Sequence, residues 1–105
     1  MNASVASVEL IAIDVLGKRF PLRVSIGTPY LSKDDVATWF CPVSINPLYE
    51  HLPDIAGVDA LQALCLAIHL AFDLLRSFVA KGGRLTYDGE HDLLLDSYFF
   101  GTTHQ

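Results

Sequence analysis

The chain has 105 residues, of which 51% are hydrophobic and 18% charged, with a formal net charge of −5. This length and apolar content exclude a disordered chain, a low-complexity fibre and a multidomain layout, and they indicate one domain over residues 1–105. The few charged residues leave less polar surface than a soluble monomer of this size usually has. An acidic chain also disfavours binding to RNA or to an anionic membrane, because both depend on clustered Lys and Arg side chains.

Two strands are predicted first along the chain. Residues 8–16 are rich in β-branched and aliphatic side chains, and Gly17-Lys18 is typical of a tight turn. Residues 19–26 alternate strictly, with apolar side chains on one face, so they form the clearest strand. Pro21 has no N–H for a ladder, which favours an edge position or the start of a strand.

A third strand is predicted over residues 38–45, between a loop at 27–36 and a connection at 46–57, with Pro42 inside it. After a helix, residues 84–87 and 93–100 are predicted as a last pair of strands around an Asp88-Gly89 turn. Five strands with one helix predict an α+β fold in which a mainly antiparallel sheet curls strongly, as in a small Sm-like or SH3-like barrel.

The helix is predicted over residues 59–80. Asp59 and Gln62 resemble a capping box, and Gly82-Gly83 is a typical stop. Apolar residues at steps of three and four predict the side that faces the sheet: Val58, Leu61, Cys65, Ile68, Phe72, Leu75 and Val79. The apolar run within it is shorter than a membrane span and contains Gln62 and His69, which argues against a transmembrane segment.

Apolar side chains also cover most of the rest of this helix. Either the sheet wraps around it, or a second copy of the protein covers the remaining face, and the commonness of symmetric dimers favours the second copy. The candidate interface comprises Leu64, Leu66, Leu70, Leu74 and Phe78.

Three groups of residues have types that could carry chemistry. His69, Asp73 and Arg76 lie on the polar side of the helix, where they could act as a general base and an anion site, although a solvated row with an ion pair is favoured. An acidic group around the last turn lacks the spacing of a metal site and is predicted to be a polar turn: Asp88, Glu90, His91, Asp92 and Asp96. Aromatic residues near the third strand are predicted to pack rather than to stack on a ligand: Tyr30, Trp39, Phe40 and Tyr49.

Cys41 and Cys65 are the only cysteines and form no CxxC motif. We therefore expect buried thiols in a reducing, cytoplasmic setting. The N-terminal residues lack the basic start of a signal peptide. No catalytic, cofactor-binding or metal-binding residue is predicted.

Three segments together resemble a family of small uncharacterised bacterial domains: Phe40-Cys41-Pro42-Val43-Ser44-Ile45, Gly57-Val58-Asp59-Ala60-Leu61-Gln62-Ala63-Leu64 and Gly82-Gly83-Arg84-Leu85. This resemblance implies a cytoplasmic bacterial protein and no known activity. The order of elements is also similar to the inventory of an Sm-like barrel, whose members often form rings and bind RNA, but here the helix follows the third strand. Fold analogy alone does not establish function.

These observations favour a non-enzymatic module that oligomerises or binds a protein partner. An RNA-binding small barrel is one alternative. A small-ligand binder or hydrolase that uses His69, Asp73 and Arg76 is another.

Overall fold

A computed structural model describes residues 4–98 and shows that the fold is α+β, as predicted. Within these residues, seven strands form two antiparallel sheets beside one long α-helix, α1. The strands are β1 Ser4–Ile13, β2 Arg19–Gly27, β3 Tyr30–Leu31, β4 Trp39–Cys41, β5 Val43–Asn46, β6 Ile55–Gly57 and β7 Arg84–Thr86. Helix α1 spans Ala60–Ala80, and a 3₁₀ helix spans Leu95–Tyr98.

The larger sheet has the strand order β5-β2-β1-β7. Its register pairs Leu10 with Leu22 and Val24 with Ile45 across neighbouring strands. Because side chains alternate between the two faces of a strand, this register gathers the apolar residues on one face. That inner face packs against α1, and Leu10, Leu22 and Ile45 are buried there.

The smaller sheet has the order β3-β4-β6, so the expectation of one sheet is wrong. Pro42 divides the predicted third strand into β4, which pairs with β3 and β6, and β5, which pairs with β2. Proline cannot donate to a ladder, and here it lies where the chain passes from one sheet to the other. Across residues 4–98 the sheets do not close into a barrel.

Both ends of α1 are confirmed. The Asp59 carboxylate accepts the Gln62 backbone N–H at 2.7 Å, and the Gln62 side chain reaches back to accept the Val58 N–H at 2.7 Å. At the other end Gly82 has a φ of +104°, and the Gly83 N–H bonds to the Phe78 carbonyl at 3.1 Å. These are local signals, which explains why the sequence predicts them accurately.

The side of α1 that faces the sheets is only partly the predicted one: Leu75 of the predicted row is buried, and Ile68 and Phe72 pack against the core. The buried row is Ala63, Ala67, Ala71 and Leu75. Small side chains let the helix backbone approach the strands closely: a Cβ on Gly57 of β6 would lie 2.5 Å from the Ala63 nitrogen. Residues expected against the sheet are instead exposed, namely Val58, Leu61, Cys65 and Val79.

By length and composition α1 is long and apolar enough to cross a membrane, since an apolar window within it has a mean hydropathy of 1.7. Of the residues in that window, 22% are buried inside the protein. In this fold the buried row of the helix packs against strands of both sheets.

The C-terminal part begins as predicted and then departs from it. The Leu93 N–H donates to the Leu85 carbonyl at 2.8 Å, and Asp92 forms a bridge with Thr86. The chain then turns into the 3₁₀ helix, so the predicted strand over 93–100 is wrong as far as Tyr98, and its last two residues lie outside the described part.

Candidate functional site

The predicted interface residues of α1 divide into two groups. Four of them are partly buried and pack against the core of the same chain: Leu64, Leu70, Leu74 and Phe78. Leu66 keeps 43% of its surface exposed. The sheets thus cover more of the helix than one flat sheet would, and much of its free apolar surface lies on another side.

That free surface lies near the start of the helix. Val58 lies just before α1, and Leu61, Cys65 and Ile68 follow at i, i+4 and i+7 along one side of the helix. Val58 is 72% and Leu61 70% exposed, Cys65 is an exposed free thiol, and Ile68 is partly buried. We call these four residues the helix patch.

Further along the same side, the chain covers its own helix. The Tyr98 ring of the 3₁₀ helix lies 5.0 Å from the Phe72 ring, and Asp96 lies 3.9 Å from Arg76. The Tyr98 hydroxyl is also 3.3 Å from that of Tyr87, and this hydrogen bond raises the pKa of Tyr98 to about 12. The 3₁₀ helix is therefore fixed at both sides and borders the helix patch.

His69, Asp73 and Arg76 come together as the sequence predicts. The Asp73 carboxylate lies 3.9 Å from His69 Nδ1 and 3.6 Å from Arg76 Nη1. All three side chains are at least 40% exposed. Exposed pairs of this kind contribute about 0–1 kcal/mol, so the geometry is that of a solvated row. A role in ligand binding or hydrolysis stays a prediction.

The acidic group is organised as a turn. The Asp88 carboxylate accepts backbone N–H groups of His91 at 2.8 Å and Glu90 at 2.9 Å, and it lies 2.6 Å from His91 Nδ1. These hydrogen bonds hold the pKa of Asp88 well below its usual value. Arg84 bonds to Asp92 at 2.7 Å, and within residues 4–98 no three His, Cys, Asp or Glu side chains lie so that they could hold a metal ion.

The aromatic residues near β4 pack against protein. Tyr30 stacks on Phe40 with ring centres 5.8 Å apart, and Trp39 and Tyr49 contact the core. The Tyr30 hydroxyl donates to the Asp54 carboxylate, which raises the pKa of Tyr30.

The two cysteines lie in different environments. Cys41 is fully buried and donates to the Gly27 carbonyl at 3.4 Å, and burial raises the pKa of its thiol. The prediction of a buried thiol is confirmed for Cys41 and wrong for Cys65, which is exposed in the helix patch.

Sequence reasoning missed a cleft of about 530 Å³ on the outer face of the larger sheet. It runs across the strands from Asn46 and Pro47 to Tyr87, and Glu9 and Arg23 are among its lining residues. Alternation in β2 does place Arg23 outward. Its neighbours on β1 and β5 depend on strand register, which a single sequence does not specify.

The chain is an α+β domain in which one helix packs across two antiparallel sheets. It belongs to the family described as "Domain of unknown function (DUF6968)", whose model matches residues 13–95. No curated protein and no solved structure matches the chain.

Proposed function

We propose that this domain is a non-enzymatic assembly module that forms a dimer through the helix patch. The observation that carries the proposal is the exposure of Val58, just before α1, and of Leu61, in its first turn, each about 70% or more, although another side of the same helix is closely packed. Apolar side chains exposed together favour association, because burying them removes their surface from water.

A second copy is the partner we favour. In a two-fold contact the same patch faces itself, so a charge at its centre would meet the same charge of the second copy. Val58, Leu61, Cys65 and Ile68 have no ionised side chain at neutral pH, and the polar row of His69, Asp73 and Arg76 lies on a neighbouring side of the helix.

The size of the patch sets the strength of the dimer. From Leu61 to Ile68 the helix rises by roughly 10 Å, which gives a contact at the low end of protein interfaces. We therefore propose a dissociable dimer. Unpaired thiols in both cysteines support a reducing, cytoplasmic location as part of this proposal.

The first experiment is sedimentation velocity over a range of protein concentrations. The natural protein should move from monomer towards dimer as concentration rises, and Leu61→Glu should stay monomeric because it would bury two facing carboxylates. The control is Leu16→Glu, since Leu16 is 90% exposed in the β1–β2 turn, away from the patch. A natural protein that stays monomeric, or a Leu16→Glu variant that loses the dimer equally, contradicts the proposal.

The second experiment uses Cys65 as a position marker. A short bis-maleimide should link two chains of the natural protein and of Cys41→Ser, whereas Cys65→Ser should give no linked dimer on denaturing gels. Linked dimer in Cys65→Ser, or none in Cys41→Ser, would place the contact elsewhere.

RNA binding and chemistry at His69, Asp73 and Arg76 stay predictions.

A further inference from the structure

The cleft on the outer sheet face combines an apolar floor with a row of polar groups. Ile11 and Pro21 are cross-strand partners in the register of β1 and β2, and Pro47 lies at the β5 end. The volume of about 530 Å³ lies within the usual range for small-molecule sites. The floor therefore suits an apolar group of a small ligand.

The polar row crosses three neighbouring strands. Arg23 of β2 is paired in register with Glu9 of β1 on one side and with Asn46 of β5 on the other. Side chains directly opposite on one face have Cβ atoms about 4.5–5.5 Å apart. A carboxylate, a guanidinium and a carboxamide thus stand side by side at the edge of the apolar floor.

Two hydrogen bonds hold the Arg23 side chain in position. Its Nε donates to Ser25 Oγ at 3.3 Å, and Ser25 is a polar residue with only 5% exposure. Its Nη1 donates to Glu9 at 3.4 Å, which is a long contact between side chains that are 55% and 77% exposed. Within residues 4–98, Nη2 makes no hydrogen bond. The guanidinium is oriented but retains the capacity to bind an acceptor.

The charges of Glu9 and Arg23 indicate which charges a ligand of this cleft should carry. Glu9 and Arg23 cancel each other, so a ligand with a net charge would leave one of them uncompensated. Exposed ion pairs contribute little to stability, so a ligand that supplies both charges can replace this contact at small cost. Such a ligand carries an ammonium group for Glu9 and a carboxylate for Arg23 and for the amide N–H groups of Asn46.

We propose that this cleft binds a small zwitterion with an apolar side chain, an α-amino acid of the leucine or phenylalanine type. Its carboxylate accepts from Arg23 and Asn46, its ammonium group donates to Glu9, and its side chain lies on Ile11, Pro21 and Pro47. Binding at this site does not depend on the proposed dimer, because α1 packs on the other face of the sheet.

The test is an NMR titration of the full chain, labelled with ¹⁵N, with leucine and three matched compounds. Leucinamide lacks the carboxylate, 4-methylpentanoate lacks the ammonium group, and glycine lacks the side chain. Leucine should shift the amide signals of β1 and β2 near Glu9 and Arg23. Each analogue should bind about tenfold or more weakly, since each loses a charged hydrogen bond or the apolar contact.

Two variants test the residues and one serves as control. Arg23→Gln and Glu9→Gln should each weaken leucine binding about tenfold or more, and both replace half-exposed or exposed side chains, which keeps the fold intact. Arg19→Gln changes an arginine on the same face that does not line the cleft, and it should bind as the natural protein does.

Three results would overturn the proposal. One is the absence of saturable shifts with leucine. Another is binding of 4-methylpentanoate or leucinamide as tight as that of leucine, which would indicate a simple anion or cation site. The third is equal weakening by Arg19→Gln and Arg23→Gln, which would indicate a diffuse effect of charge.

Discussion

Gly83 shows how a single missing side chain permits the end of the helix. A Cβ at this position would lie 2.5 Å from Cε2 of Phe78, whose ring also packs edge-on against Phe20 at 6.2 Å. Gly83→Ala should therefore force the Phe78 ring to move and lower the free energy of unfolding by about 1–3 kcal/mol, as overpacking usually does. Urea denaturation measures this change.

A double-mutant cycle separates that contact from any backbone effect. In a Phe78→Leu background the ring is absent, so Gly83→Ala should cost clearly less than in the natural protein. An equal cost in both backgrounds would mean that Phe78 is not the cause.

The Asp88 carboxylate, which accepts hydrogen bonds in the last turn, makes the stability of the protein depend on pH. Hydrogen bonds from His91 and Glu90 lower its pKa in the folded protein, so the ionised carboxylate is favoured by folding. The stabilisation that Asp88 contributes is present above the unfolded pKa of about 4 and is lost as the pH falls towards the lower folded pKa. Asp88→Asn should thus be less stable than the natural protein at neutral pH, and the difference should shrink in acid.

Thermal unfolding at several pH values gives the comparison. Asp34→Asn is a suitable control, because Asp34 is also exposed but does not hold this turn. A stability difference for Asp88→Asn that stays constant down to about pH 2 would refute the link between this carboxylate and acid stability.

At the scale of elements, the alanine row sets how closely α1 lies on the sheets. Ala67 is completely buried and Ala80 is exposed at the end of the helix. Ala67→Leu should reduce stability by about 1–3 kcal/mol because the helix must move outward, whereas Ala80→Leu should have little effect. Equal effects in chemical denaturation would show that the row is not in close contact.

This row also explains what the sequence could and could not predict. The bounds of α1 follow from Asp59, Gln62 and the glycine pair, which act within one turn of the helix. Its buried side followed only in part: Leu75 was predicted, but the three buried alanines were not, because apolar residues surround most of the helix and larger side chains favoured another row. A close approach between helix and strands favours the smallest residues on the helix. Which side of α1 makes that approach depends on the position of the strands, which the helix sequence does not contain.

The pairing between strands could not be predicted from the sequence either. Alternation predicted β2 well, but the division at Pro42 and the short strands β3 and β6 depend on partners distant in the chain. The same holds for the row of Glu9, Arg23 and Asn46, which exists only once three strands are in register. The residue types of the candidate cleft were visible in the sequence, and their proximity was not.

For the whole molecule, the two proposed surfaces lie on different layers. The helix patch is on α1, which covers the inner face of the larger sheet, and the cleft is on the outer face of that sheet. The core of the sheet separates them. Changes at well-separated sites with no shared partners are usually additive, so dimer formation and ligand binding should be independent.

This independence gives a joint prediction for thermal unfolding. If a dimer forms, the unfolding temperature should rise with protein concentration, by roughly 4–8 °C for about 1 kcal/mol of stabilisation in a domain of this size. Leu61→Glu should remove this dependence and leave the leucine affinity unchanged, while Arg23→Gln should weaken leucine binding and leave the dependence intact. A variant that alters both properties, without loss of fold by circular dichroism, would show that the two surfaces are coupled through the sheet.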